Sequence, residues 1–275
     1  MLTAAIAVLA GGAAASAAPL RTALRRVGEI AVPGPPLRTF DIGDVNAAGI
    51  YAFSDQSNHG LDLIDASTGR FLGRAGGFGH DGPPILNLIS TRSLKVVGRV
   101  TLAAATDGAE QPAYVPATGL LYRSLPVLHH VKAEGAIAVI NPRTRRLVKL
   151  VHVRQCMPAG LALGSHTDLL VGCSDDAVTA GFPAHSLILD ARSDTIVARI
   201  VQVGGSDEVY ADPRAHRYYL AAVKNPGGLV LGIVDARTRR WIANLPSGPD
   251  AHSVAADPRS GQVFVPIAAS RNGGP

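Results

Sequence analysis

The sequence predicts an all-β protein made of repeated four-stranded units, and three observations lead to that prediction. Short apolar strands alternate with polar turns along most of the chain, as in the stretch Leu187–Ile200. One turn pattern, an Asp or Asn followed three residues later by Ser or Thr, recurs at long intervals. Hydrophobic residues make up 47% of the 275 residues but aromatic ones only 5%, so the core must consist mainly of Val, Leu, Ile and Ala.

The recurring turn keeps a regular period. It begins at Asp65, Asn141, Asp190 and Asp235, with a degenerate copy at Ser90, and the successive spacings are 25, 51, 49 and 45 residues. Between two turns there is room for about four strands, and a period of about 40–50 residues with four strands is typical of a β-propeller blade. One copy is predicted to contain the strands Glu208–Ala211, Tyr218–Val223, Val230–Asp235 and Trp241–Leu245.

Several of these segments resemble the YVTN-type, YncE-like bacterial β-propellers. The resemblance lies in the repeated turns and in the stretches Gly204–Tyr210, Ala211–Pro213 and Ala251–Pro258, and it extends over about Val27 to Ala269. It implies a propeller of four-stranded blades in a family that normally has seven. The family serves many tasks, so the resemblance implies a fold and leaves the activity open.

One spacing departs from the family pattern. Only 25 residues separate the turns at Asp65 and Ser90, and the stretch Ile85–Ile89 has the pattern of a third strand without the two strands that should precede it. We therefore expect a segment to be missing near residues 84–85. We expect a ring of about five blades, which either closes or stays incompletely closed. Arg26–Val32 is the strand that would complete the last blade. Open strand edges would favour association with other chains.

The N-terminal residues 1–18 are apolar and Ala-rich and end in a small-residue cleavage pattern, as secretory signal peptides do. Residues 19–275 then form a single propeller domain, and the protein is expected to be periplasmic or secreted. No further membrane span is evident. The net charge is +5, but the basic residues are scattered and form no stripe, so we expect no nucleic-acid partner.

The two cysteines flank a predicted hairpin. The turn Gly164–Thr167 lies midway between Cys156 and Cys173, and a hairpin there would make the two residues cross-strand neighbours. In an exported protein this arrangement permits a disulfide. Two buried free thiols are the alternative.

Candidate site residues lie in the loops that lead into the innermost strands, because in a propeller such loops face the central channel. Those singled out are Glu110, Asp207, Glu208, His252, His80 and Asp81. Of these, Glu110, Glu208 and His252 occupy matching places and are candidate ligands for a divalent cation. The alternative is that these polar residues only satisfy backbone amides of the turns. His59, His166, His185 and His216 are interpreted as surface turn residues.

Two functions are consistent with this sequence. The first is a binding or scaffold propeller that presents a polar central-channel site to a small ligand or a protein partner. The alternative is a metal-dependent small-molecule hydrolase or lyase of lactonase type, with a divalent cation on the axis. The sequence contains no nucleophile elbow, phosphate loop or His-Glu-x-x-His motif, and no catalytic set is complete, so the binding function is favoured.

Overall fold

The computed structural model describes residues 31–35, 40–45, 49–65, 67–76, 83–249, 251–257 and 262–265. Four antiparallel sheets of four strands each occupy most of this part of the chain, and two further sheets have two strands each. The all-β prediction is thus confirmed. The predicted signal peptide and the predicted closing strand Arg26–Val32 lie almost entirely outside the described residues. No helix in the described part is long and apolar enough to cross a membrane.

Each of the four-stranded sheets is formed by four consecutive strands. We call these sheets blades 1, 3, 4 and 5, because a two-stranded sheet lies between the first and the second of them along the chain. Blade 1 contains β1 (Phe40–Val45), β2 (Ile50–Asp55), β3 (Gly60–Asp65) and β4 (Phe71–Gly76). Blade 3 contains β7 (Pro112–Val115), β8 (Leu120–Leu125), β9 (Glu134–Asn141) and β10 (Arg146–Arg154). Blade 4 contains β11 (Pro158–Leu163), β12 (Asp168–Cys173), β13 (Ser186–Asp190) and β14 (Thr195–Ile200). Blade 5 contains β15 (Ser206–Asp212), β16 (Arg217–Ala222), β17 (Val230–Asp235) and β18 (Arg240–Pro246).

Two half-blades account for the irregular spacing in the sequence. Half-blade 2 pairs β5 (Ile85–Ser90) only with β6 (Lys95–Thr101), and half-blade 6 pairs β19 (Ala255–Asp257) only with β20 (Gln262–Phe264). The strand expected at Ile85–Ile89 is therefore present, and it pairs with no inner strand in the described residues. The twenty described strands are the number that five four-stranded blades contain, which roughly fits the expected number of blades.

The recurring turn has one conformation in five copies. The residue four positions after its start has a positive φ each time, between 53° and 70°, at Gly69, Leu94, Arg145, Asp194 and Arg239. The starting side chain accepts hydrogen bonds from backbone N–H groups two or three residues later; Asn141 Oδ1, for example, lies 2.9 Å from Arg143 N and 3.1 Å from Thr144 N. Such side-chain bonds replace backbone partners in a tight turn, and this explains why the pattern repeats.

These turns are expected to make the protein sensitive to acid. The pKa values of Asp65, Asp190 and Asp235 lie below the usual value, chiefly because their carboxylates accept hydrogen bonds from the Ser67 hydroxyl, the Arg192 N–H and the Thr238 N–H, respectively. A carboxylate whose pKa is lower in the folded than in the unfolded state stabilises the fold at pH values above its unfolded pKa of about 4. This stabilisation is lost as the pH falls through the folded-state pKa.

Changing the three aspartates to Asn together is therefore expected to flatten the decline of the melting temperature below about pH 5. Asn141 shows that an amide fits the turn. The matched control is Asn141→Asp, which adds a carboxylate to the copy of the turn that begins with an amide side chain and should steepen that decline. Thermal unfolding followed by circular dichroism from about pH 7 to about pH 2 tests this. If the melting temperature of both variants declined below about pH 5 as it does in the wild type, this explanation of the acid sensitivity would be contradicted.

The core runs between the blades rather than within them. One cluster joins Tyr122 and Ile137 of blade 3 to Leu169 and Leu187 of blade 4. A second joins Leu170 and Ile188 of blade 4 to blade 5, including Tyr218 and Leu220. Two buried tyrosines also donate hydrogen bonds between blades: Tyr122 Oη to Ala191 O at 2.7 Å and Tyr218 Oη to Asp168 O at 2.9 Å. Stacking against neighbours thus buries the faces that a single blade leaves open.

Candidate functional site

Blades 3, 4 and 5 meet at one end of their innermost strands around a pocket of about 240 Å³. Asp107 and Glu110 come from the loop that leads into β7, and Asp207 lies at the start of β15. Asp175 and Asp176 open the short helix α1 (Asp175–Thr179), which follows β12 and has Ser174 as its N-cap. Pro126, Ala159 and Ser174 complete the lining. Five of the eight lining residues thus carry a carboxylate, so this pocket is strongly acidic.

The loop that carries Glu110 is held by its own blade. Glu110 N donates to Ser124 O at 2.9 Å, and a guanidinium N–H of Arg123 donates to Ala109 O. Burial lowers the pKa of the Arg123 guanidinium, and the Glu110 carboxylate partly offsets that effect. Arg123 Nε is buried and has no hydrogen-bond partner in the described part of the chain. The buried Arg123 guanidinium therefore contributes positive charge to the surroundings of Glu110.

Gln111 ties the three innermost strands together across the centre. Its side-chain oxygen accepts from Leu161 N at 2.9 Å and from Val209 N at 3.3 Å, and its Nε2 donates to Val209 O at 3.1 Å. Gly160 allows β15 to approach β11, because a Cβ there would lie 2.6 Å from Asp207 O. Gln111 thus links β11 to β15, and the close approach at Gly160 lies next to Ala159 and Asp207, which line the pocket.

The structure brings together only some of the predicted site residues. Glu110 and Asp207 line the acidic pocket, whereas Glu208 and His252 do not. Glu208 accepts a hydrogen bond from Ser253 Oγ, and its backbone N–H donates to His252 O at 3.0 Å. His80 and Asp81 lie outside the described residues. Within the described ranges, no three ligand atoms from the predicted metal set Glu110, Glu208 and His252 lie within 4.8 Å of one another.

Two acidic residues at this end of the molecule come from outside the loops that the sequence predicted to face the channel. Asp175 and Asp176 follow the second strand of blade 4, where no loop toward the channel was expected. They reach the pocket because Ser174 caps a helical turn at that point, with its Oγ accepting from Ala177 N at 3.1 Å. A Ser-Asp-Asp run is a signal for a helix N-terminus and could have indicated the turn, though not its position beside the pocket.

The cysteines form a disulfide between Cys156 and Cys173, with a Cα–Cα distance of 4.5 Å. The predicted hairpin lies between them, and its strands are β11 and β12. The interpretation of His185 as a surface residue is wrong, because only 1% of its surface is exposed. It directly precedes β13, where the chain returns to the core after the loop that follows α1. His59 and His166 are exposed and His216 is half-buried, as turn residues usually are.

Comparisons with known proteins identify the fold. No protein-family model matches the chain, and no curated protein matches it in sequence. Among solved structures, the chain is similar to hydrazine synthase from Kuenenia stuttgartiensis, with a TM-score of 0.61 and 13% sequence identity. The alignment covers 88% of this chain and 86% of that one. At this identity the likeness concerns the fold alone, and together with the repeated four-stranded sheets it assigns the chain to the β-propeller fold.

Proposed function

We propose that this protein is an exported propeller of the YVTN type that binds a small organic cation in the acidic pocket. The observation that carries the proposal is the convergence of Asp107, Glu110, Asp175, Asp176 and Asp207 from three blades on one pocket of about 240 Å³. Polar groups that converge in a concavity are the usual mark of a ligand site. Carboxylates at close range raise the local concentration of cations and stabilise ammonium or guanidinium groups through charge-assisted hydrogen bonds.

Two features favour an organic cation over a bare metal ion. Carboxylate oxygens of the pocket do not form a group of three within 4.8 Å in the described residues, whereas divalent ions need several oxygens at about 2.0–2.6 Å. The pocket volume equals that of several water molecules, each about 30 Å³, and lies below the roughly 300–1,000 Å³ of drug-sized sites. A small amine or guanidine fits these dimensions. The lactonase-type alternative would need the carboxylates to close around a metal ion.

Export is supported by the leader-like N-terminal sequence and by the disulfide, because such bonds persist in oxidising compartments. The YVTN-type assignment is supported by the repeated Asp/Asn-x-x-Ser/Thr turns, which share one conformation in five blades or half-blades. A scaffold role for protein partners fits the same fold. The strand edges of half-blades 2 and 6 that have no partner strand among the described residues would be its contact surfaces.

The binding proposal predicts a charge-dependent loss of affinity. Titration calorimetry with putrescine, spermidine and arginine as probes is expected to show binding that weakens with added salt. The change Asp107→Asn together with Asp207→Asn should weaken it at least about tenfold, because a hydrogen bond to a charged group contributes about 1.5–3 kcal/mol. Asp235→Asn removes a carboxylate in the turn between β17 and β18, outside the pocket lining. It is the matched control and should bind like the wild type. Absence of binding, or equal weakening in the control, would contradict the proposal. Tight binding of Ca²⁺ or Mn²⁺ without binding of the organic cations would favour the metal-dependent alternative.

A further inference from the structure

A second cluster of ligating groups lies beneath the surface of blade 4, separate from the acidic pocket. It contains Cys156, Cys173 and His185, which are 0%, 1% and 1% exposed. Both sulfur atoms and a ring nitrogen of His185 lie within 4.8 Å of one another. In the described part of the chain this is the one group of three His, Cys, Asp or Glu side chains that meets this distance. The sulfur atoms are joined as a disulfide, so the group cannot hold a metal ion in its oxidised form.

His185 is oriented as a metal ligand would be. Its Nδ1 lies 2.7 Å from the carbonyl oxygen of Pro183, and a carbonyl oxygen can only accept, so Nδ1 carries the proton. Nε2 then has a free lone pair, and it is buried with no hydrogen-bond partner in the described residues.

A buried polar atom without a partner is destabilising and calls for an explanation. Histidines that bind metal ions usually donate their other ring N–H to a carboxylate or a backbone carbonyl, which fixes the tautomer and the direction of the lone pair. Pro183 supplies that carbonyl. Gly204 lets the chain pass close to the His185 backbone, because a Cβ there would lie 2.1 Å from His185 N. The imidazole lies beside the two sulfur atoms in this arrangement.

We propose that the Cys156–Cys173 disulfide masks a Cu⁺ site, which forms when the bond is reduced and is completed by His185 Nε2. A dithiol reductant would open the bond by thiol–disulfide exchange: it is oxidised to its own disulfide and leaves two cysteine thiols. Cu⁺ then displaces the two thiol protons and binds both thiolates and the imidazole. Thiolates select soft ions, and Cu⁺ is among the ions they favour. A three-ligand set matches Cu⁺ better than structural Zn²⁺, which takes four ligands.

The buried cluster lies close in the sequence to an exposed loop. Gly181 and Pro183, in the loop between α1 and β13, are exposed, whereas His185 two residues further is buried. Local opening of a loop costs less free energy than global unfolding, and opening this one would admit a reductant or an ion to the sulfur atoms. The function of the acidic pocket does not enter this proposal.

The experiment compares oxidised and reduced full-length protein. The protein is reduced with a dithiol, freed of reductant under nitrogen and titrated with Cu⁺ against a colorimetric Cu⁺ chelator, while circular dichroism monitors folding. Reduced wild type is expected to take up one equivalent of Cu⁺ with a thiolate-to-metal absorption band, and oxidised protein none. The double variant Cys156→Ser with Cys173→Ser should bind none. His185→Gln should bind at least about tenfold more weakly, as removal of a ligand or its support does in metal sites.

The matched control is His166→Gln, the same change at an exposed histidine, which should bind Cu⁺ like the wild type. Equal affinity in His185→Gln and wild type would overturn the proposal, as would uptake of Zn²⁺ but not Cu⁺ by the reduced protein. Where reduction unfolds the chain, added Cu⁺ is expected to restore the circular dichroism spectrum, since metal binding and folding are coupled at such sites. A reduced chain that stays unfolded with Cu⁺ would equally overturn it.

Discussion

Replacement of Arg74 by glutamine is expected to destabilise the protein by about 3 kcal/mol, a typical cost of removing one partner of a buried ion pair. Arg74 lies in β4 and faces two carboxylates that are fully buried, Asp55 and Asp62. Its Nε is 2.6 Å from Asp62 Oδ1, and one terminal nitrogen is 3.0 Å from Asp62 Oδ2 and 2.8 Å from Asp55 Oδ2. Without the guanidinium, two buried negative charges would face each other uncompensated.

The measurement is urea unfolding followed by circular dichroism, and the control is Arg70→Gln. Arg70 belongs to the turn just before β4 and its side chain is exposed, so the same change there should alter the free energy of unfolding by less than about 0.5 kcal/mol. A loss of similar size in both variants would show that the ion pairs do not stabilise blade 1. The aspartates would then have to be satisfied by other groups, such as Asn58, whose side chain lies 2.6 Å from Asp55 Oδ2.

Removal of the disulfide by changing both Cys156 and Cys173 to Ala is expected to cost about 3 kcal/mol, because the bond closes a loop across 17 residues and restricts the unfolded chain. A typical domain has about 5–15 kcal/mol of stability, so the variant should still fold. The same urea unfolding experiment measures the loss. Adding a reductant should lower the unfolding midpoint of the wild type and leave that of the variant unchanged. A variant as stable as oxidised wild type would contradict the expected contribution.

The structure shows why some site residues were predictable and others were not. Glu110 and Asp207 lie close to where the repeat register placed them, Glu110 in the loop ahead of β7 and Asp207 at the start of β15. Glu208, the next residue, instead accepts a hydrogen bond from Ser253, which lies just ahead of β19. The direction of each side chain depends on a β-bulge between Ser206 and Val209, where the pairing with β16 shifts. A bulge changes the alternation of faces along a strand, and no residue pattern in this stretch announced it.

His185 and Gln111 show that packing between distant segments also could not be predicted from the local sequence. His185 follows Pro183 and Ala184 in the loop between α1 and β13, and a histidine in such a loop is predicted to be a turn residue at the surface. It is buried because the loop after α1 folds back over Gly204 and brings the imidazole to the disulfide. Gln111 contacts Val209, which is 98 residues away in the sequence, and nothing near Gln111 indicates that partner. Contacts between distant segments leave no local signal.

The sequence by itself determined the repeating unit, its turns and the place where a blade is cut short. These features depend on contacts within a few residues: Asn141 and the aspartates at matching positions bond their own turns, and apolar alternation defines the strands between them. The tertiary structure alone decided which carboxylates share a pocket, which cation neutralises Asp55 and Asp62, and where His185 points. Those outcomes depend on how neighbouring blades stack and on how loops fold over them, because burial and charge pairing are properties of segments brought together from different parts of the chain.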